Sequence, residues 1–106
     1  MDYHIPDISH LNHSLKTVSE YAYDALVREI ELFQKSLSVE QEVGIIANGA
    51  GLVIHVEALY HSDQMIVFSG VDSEGNDARL IQHYTQANVQ MIAVDKLQEE
   101  PRRIGF

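Results

Sequence analysis

Beyond Ser38 the apolar residues of this chain stop recurring every three or four positions and begin to alternate. That single change of period, from helix to strand, confines the fold to a helix laid against a sheet. Before it, Ala22, Leu26, Ile30, Phe33 and Leu37 form a helical stripe, while Glu20, Asp24, Arg28, Glu31 and Lys35 fall on the other side. Thr17-Val18-Ser19-Glu20 has the form of a capping box, in which hydroxyl and carboxylate satisfy each other's free backbone N–H groups, so the helix should start there. Asp24 with Arg28 and Glu31 with Lys35 stand in the favourable acid-first order one turn apart. Tyr21, Tyr23 and Val27 widen the stripe, as core packing against more than one neighbour would require.

After the helix, Val43 to Ala47 reads as a strand, with Asn48-Gly49 as the tight turn and Ala50-Gly51 lengthening it. In the next strand Leu52, Ile54, Val56, Ala58 and Tyr60 share a face expected to be core, opposite Val53, His55, Glu57, Leu59 and His61. Met65 to Val71 is a third strand. Asp72 to Asp77, rich in residues that tolerate left-handed backbone, leads into a fourth over Ala78 to His83. The segment from Gln86 to Leu97 fits two descriptions. As a helix capped by Thr85 it would align Ala87, Met91, Val94 and Leu97; as a strand, Val89, Met91 and Ala93 would alternate with Gln90, Ile92 and Val94. The helix is the expectation. The fold class is α+β: an N-terminal helix on an antiparallel meander of four strands, or five with that segment, followed by a C-terminal helix and tail.

The chain has 106 residues and makes one domain over 17–106, with residues 1–16 as an N-terminal arm. So short a chain has little core to spare, and burying an uncovered face against a copy of itself argues for a homo-oligomer, a dimer or a higher form such as a hexamer. His4, His10 and His13 in the arm invite a metal reading, and His10 with His13 has the i, i+3 spacing of one helical face, but a site needs a third ligand beside that pair and a second shell, so no metal is expected. With no cysteine, neither disulfides nor thiolate metal sites are available, and a reducing cytoplasm fits. No apolar run is long enough to span a membrane, and the N-terminus lacks the parts of a signal peptide. No cofactor is expected.

A formal net charge of −9 opposes long nucleic acid, whose affinity comes largely from neutralised phosphates. A ligand with one to three phosphates needs only a local cluster of cations. Lys96, Arg102 and Arg103 supply one near the end of the chain. Arginine grips phosphate in a bidentate fork, and a glutamine amide can both donate to and accept from a purine edge. Gln82, His83 and Gln86 gather where the fourth strand ends, and Phe68, Tyr60, Tyr84 and Phe106 offer aromatic faces. The plainer roles are core packing for Phe68 and Tyr84, a structural hydrogen bond for His83, and a solvated tail for the arginines. No nucleophile motif or glycine-rich phosphate loop occurs. His55 with Glu57 is the one arrangement resembling a general base and its orienting carboxylate, and such pairs also arise by chance on exposed strand faces.

Gly70-Val71-Asp72, then Glu74-Gly75-Asn76, then Leu80-Ile81-Gln82-His83 with Gln86, and the ending Arg102-Arg103-Ile104-Gly105-Phe106, resemble a family of small phage and prophage proteins, the Thoeris anti-defence sponges. The resemblance runs from Tyr21 to Phe106. It implies a non-catalytic protein that sequesters glycocyclic ADP-ribose signals, and in some members cyclic oligonucleotides, in the host bacterial cytoplasm. The positions it marks for ligand binding are Gln82, His83, Gln86, Arg102 and Arg103, with Asn76 and Asp77 beside them and Phe68 or Phe106 as the stacking ring. Two other classes compete. A helix followed by a twisted meander, with a histidine near the last turn, also resembles the Sm-like, Hfq-type RNA-binding ring, which the acidic charge disfavours. An acidic protein-interaction inhibitor is the third.

Overall fold

The computed structural model describes residues 16–106. One helix, α1 (Val18–Ser36), precedes five antiparallel strands: β1 (Gln41–Gly49), β2 (Leu52–Ser62), β3 (Met65–Asp72), β4 (Asp77–His83) and β5 (Val89–Asp95). The arm expected over residues 1–16, with its three histidines, lies outside the described residues except for Lys16. No helix among the described residues is long and apolar enough to cross a membrane.

The helix forms where its caps place it. Thr17 accepts the Glu20 N–H, and the Glu20 carboxylate accepts the Thr17 N–H. Ile30 is fully buried, and Leu26, Phe33, Leu37 and Tyr23 pack beside it against the sheet. The Tyr23 hydroxyl donates to the Leu59 carbonyl, and burial, followed by the nearby Asp24 charge, raises its pKa. Buried Ser19 ties the start of the helix to the Asp63 carbonyl in the β2–β3 turn. The expected pairs along the helix do not form: Asp24 pairs with Lys16, and Arg28, Glu31 and Lys35 make no ion pair among the described residues. Such exposed pairs contribute only a few tenths of a kcal/mol, too little to fix long side chains.

The strands lie in the order β4-β3-β2-β1-β5. Four run as a meander, and the fifth returns to the opposite edge. The C-terminal helix expected over Gln86 to Leu97 is therefore corrected to a strand. A short 3-10 turn (Tyr84–Gln86) carries the chain across, and β5 pairs with β1 from Val89 opposite Ala47 to Asp95 opposite Gln41. The unpaired edge of β1 supplied ladder partners that a helix of about three turns would have lacked, and its β-branched residues suit a pleated surface. The first hairpin turn also moves: β1 continues through Asn48-Gly49, and Ala50 and Gly51, both with positive φ, make the two-residue turn.

A bulge in β2 changes which residues face the core. The ladder to β3 shifts between Val56 and Ala58, so Glu57 is the extra residue and the inward set passes from Ile54 and Val56 to Leu59. Leu59 is buried and Tyr60 half exposed, the reverse of the alternation expected from sequence. Opposite the bulge the strands come so close that a Cβ at Gly70 would run into the His55 carbonyl.

Candidate functional site

β1 divides the molecule into two polar neighbourhoods. Its ladder to β2 covers only Ile46–Gly49. Residues 41–45 leave β2 and stay paired with β5, which opens a split between β1 and the second half of β2. The chain's last residues fill that split. The Gly105 N–H donates to the Glu57 carbonyl and its own carbonyl accepts the Leu59 N–H, both at 2.9 Å. Ile104 reaches the core, and its N–H meets the Gln34 side-chain oxygen at 3.4 Å.

A buried carboxylate holds this segment in place. The Glu42 side chain has no solvent exposure; its two oxygens accept the Arg102 N–H at 2.7 Å and the Arg102 Nε–H at 2.8 Å. The backbone bond from Arg102, then its guanidinium, hold the Glu42 carboxyl below the ordinary carboxylate range, against the upward pull of burial. A buried charge is tolerated where hydrogen bonds and a counter-charge replace water, and Arg102 supplies both. Arg102 is therefore an anchor, and Arg103 makes no ion pair among the described residues.

The docked segment borders two hollows. A cleft of about 430 Å³ lies between it and the C-terminal half of α1, lined among others by Gln34, Lys35, Gln41, Arg103 and Phe106. A smaller hollow of about 260 Å³ lies on its other side, where His55, Glu57 and Arg103 meet. His55 and Glu57 are both exposed on the same side of β2, as the alternation predicted, yet they exchange no hydrogen bond among the described residues.

At the other end of β1 Gln82 and His83 serve structure, and Gln86 is left at the surface. The sheet bends until the Gln82 amide donates to the Asn48 carbonyl at 2.9 Å, closing β4 onto β1. Its oxygen is buried without a partner among the described residues. His83 accepts the Thr85 N–H at Nδ1, which leaves its Nε2 to donate to the Gln64 side-chain oxygen at 3.0 Å. Gln86 is exposed on the 3-10 turn. Asn76 belongs to the β3–β4 turn, where its N–H and that of Glu74 bind the Asp72 carboxylate; those bonds, the one from Asn76 foremost, lower the Asp72 pKa. Asp77 opens β4, exposed. Phe68 is fully buried in the core and offers no stacking face, whereas Phe106 is half exposed at the cleft.

Six β1 positions separate Glu42 from Asn48, about 20 Å at the rise of an extended strand. Within one chain, then, Arg102 and Arg103 do not meet Gln82, His83 or Gln86. They meet Lys35, Gln34, Gln41, His55 and Glu57, a grouping the sequence order concealed. The one available signal was Glu42 itself, a charge at the head of an apolar strand, for which the paired arginines were the natural partners.

The fold is a small α+β domain whose cationic C-terminal segment is latched onto the sheet. The chain belongs to DUF6173, a family of unknown function, whose model matches residues 6–106. No curated protein and no solved structure is similar enough to match it.

Proposed function

We propose that this protein is a non-catalytic sponge that sequesters a small phosphate-bearing nucleotide signal, of the glycocyclic ADP-ribose class its sequence resemblance implies, and so blocks a bacterial anti-phage response in the host cytoplasm. The observation that carries this reading is the C-terminal segment: of the chain's only adjacent arginines Arg102 is latched to the domain, and Arg103, which makes no ion pair among the described residues, stands at the lining of a cleft. Retention without turnover also suits the histidines. Both ring nitrogens of His83 are occupied, and among the described residues no carboxylate is hydrogen-bonded to His55 as the orienting partner of a general base would be.

Homo-oligomers fit the same reading, because Gln82 and Gln86 can join this ligand site only from an adjoining copy. The test is to purify the protein from cells that make such signals, denature it, and examine the released small molecules by mass spectrometry. An intact cyclic nucleotide is expected. A linearised product would make the protein an enzyme, and release of no nucleotide would overturn the proposal. The Sm-like RNA-binding ring stays as a second reading, since both features behind that resemblance are present: a helix followed by the bent meander, and His83 at its last turn. Tight RNA binding that falls steeply with added salt would favour it.

A further inference from the structure

The cleft between α1 and the C-terminal segment has a donor set more selective than its net charge. Gln34 and Gln41 both turn their carbonyl oxygens to the protein. The Gln34 oxygen accepts from the Ile104 N–H, and the Gln41 oxygen accepts from the Ser38 N–H at 3.2 Å and the Ser38 hydroxyl at 3.3 Å. What each amide has left is its NH₂ group, a donor only. Lys35, in the last turn of α1, complements the negative end of the helix, yet that role uses none of its ammonium hydrogen bonds. Arg103 adds a guanidinium. The Glu42 carboxylate beneath them is already neutralised by Arg102, and Glu31 is the remaining acidic side chain on the lining.

We infer that this cleft is a diphosphate site: Lys35 and Arg103 supply charge, the Gln34 and Gln41 NH₂ groups donate to the non-bridging oxygens, and Phe106 gives the attached base a face to stack on. The volume of about 430 Å³ lies within the roughly 300–1,000 Å³ usual for small-molecule pockets. A nucleoside diphosphate is the ligand class that uses every group: the phosphates match the donors, and the base matches the half-exposed ring. The inference deepens the proposed function by naming the ligand-gripping residues, three of which the sequence resemblance did not mark.

The amides permit a test that leaves the packing alone. In Gln34→Glu and Gln41→Glu the acceptor oxygen facing Ile104 or Ser38 is kept, while the free donor becomes a repelling oxygen. Binding of ADP, inorganic pyrophosphate and adenosine to the full chain would be measured by calorimetry, with thermal melting as the control. ADP and pyrophosphate should bind and adenosine should not; each Gln→Glu variant and Lys35→Ala should weaken ADP at least tenfold, with the melting temperature little changed. Adenosine binding as well as ADP, ADP binding unaltered in the Gln34→Glu Gln41→Glu double variant, or no ADP binding by the unmodified protein would each overturn the inference. Its fate is separate from that of the sponge: ADP bound as described, with no cyclic nucleotide recovered from signal-producing cells, would keep this site and remove that function.

Discussion

The two ends of β1 carry similar side chains with opposite fates. At the Asn48 end an amide NH₂ closes the sheet and an imidazole caps a turn, and these groups are directed inside the protein. At the Glu42 end one arginine is spent in the same way, but its neighbour and two glutamine NH₂ groups keep their donors at the lining of a cleft. Polar residue type thus says little about binding until the internal partners are known. Each end can be tested by removing one partner and asking whether stability or ligand retention responds.

The largest expected effect falls on the scaffold that both ends share. Gly70→Ala would drive a methyl group into the His55 backbone at the bulge, and overpacking against backbone should cost about 3 kcal/mol or more in urea unfolding. Equal stability would mean that the bulge adapts and does not fix the geometry of either end.

Next comes the latch. Glu42→Gln keeps the shape of the side chain but withdraws the charge facing Arg102, so the C-terminal segment should become the first site of limited proteolysis, with a lowered melting temperature. The pH dependence follows in sign. The folded-state pKa of Glu42 is depressed, so its contribution is fully present above the ordinary carboxylate pKa and is lost as pH falls through the folded value. Asp72 acts in the same direction through its turn. Melting temperature should therefore drop on acidification below the ordinary carboxylate range, and Glu42→Gln should flatten part of that slope. An unchanged slope would show that Glu42 is not the keeper of the segment.

Gln82→Ala leaves the Asn48 carbonyl without its donor and should cost about 1–2 kcal/mol of stability while ADP retention stays the same. Loss of retention at constant stability would move the ligand toward the Asn48 end and dissolve the contrast. The smallest stability change is expected for Arg103→Ala, within about 0.5 kcal/mol as for most exposed sites, together with loss of ligand. Arg102→Ala should instead lower stability as well, because it leaves the buried Glu42 carboxylate unpaired.

What could be read from the chain itself were features whose cause lies within a few residues. The capping box, the apolar stripe of α1, four strands and the turn after Asp72 follow from spacing and local backbone preference, and all stand as expected. Long-range partners decided the rest. β5 became a strand because β1 had an unpaired edge to offer, and the bulge at Glu57 reversed the facing of Leu59 and Tyr60 because β3 approaches there through Gly70. Arg102 separated in role from Arg103 because a carboxylate 60 positions away in sequence is buried beside it. The residues fixed which groups were available for hydrogen bonding, and only the tertiary structure decided which of them would be used up, since that depends on the bend of the sheet and on where the last segment comes to rest.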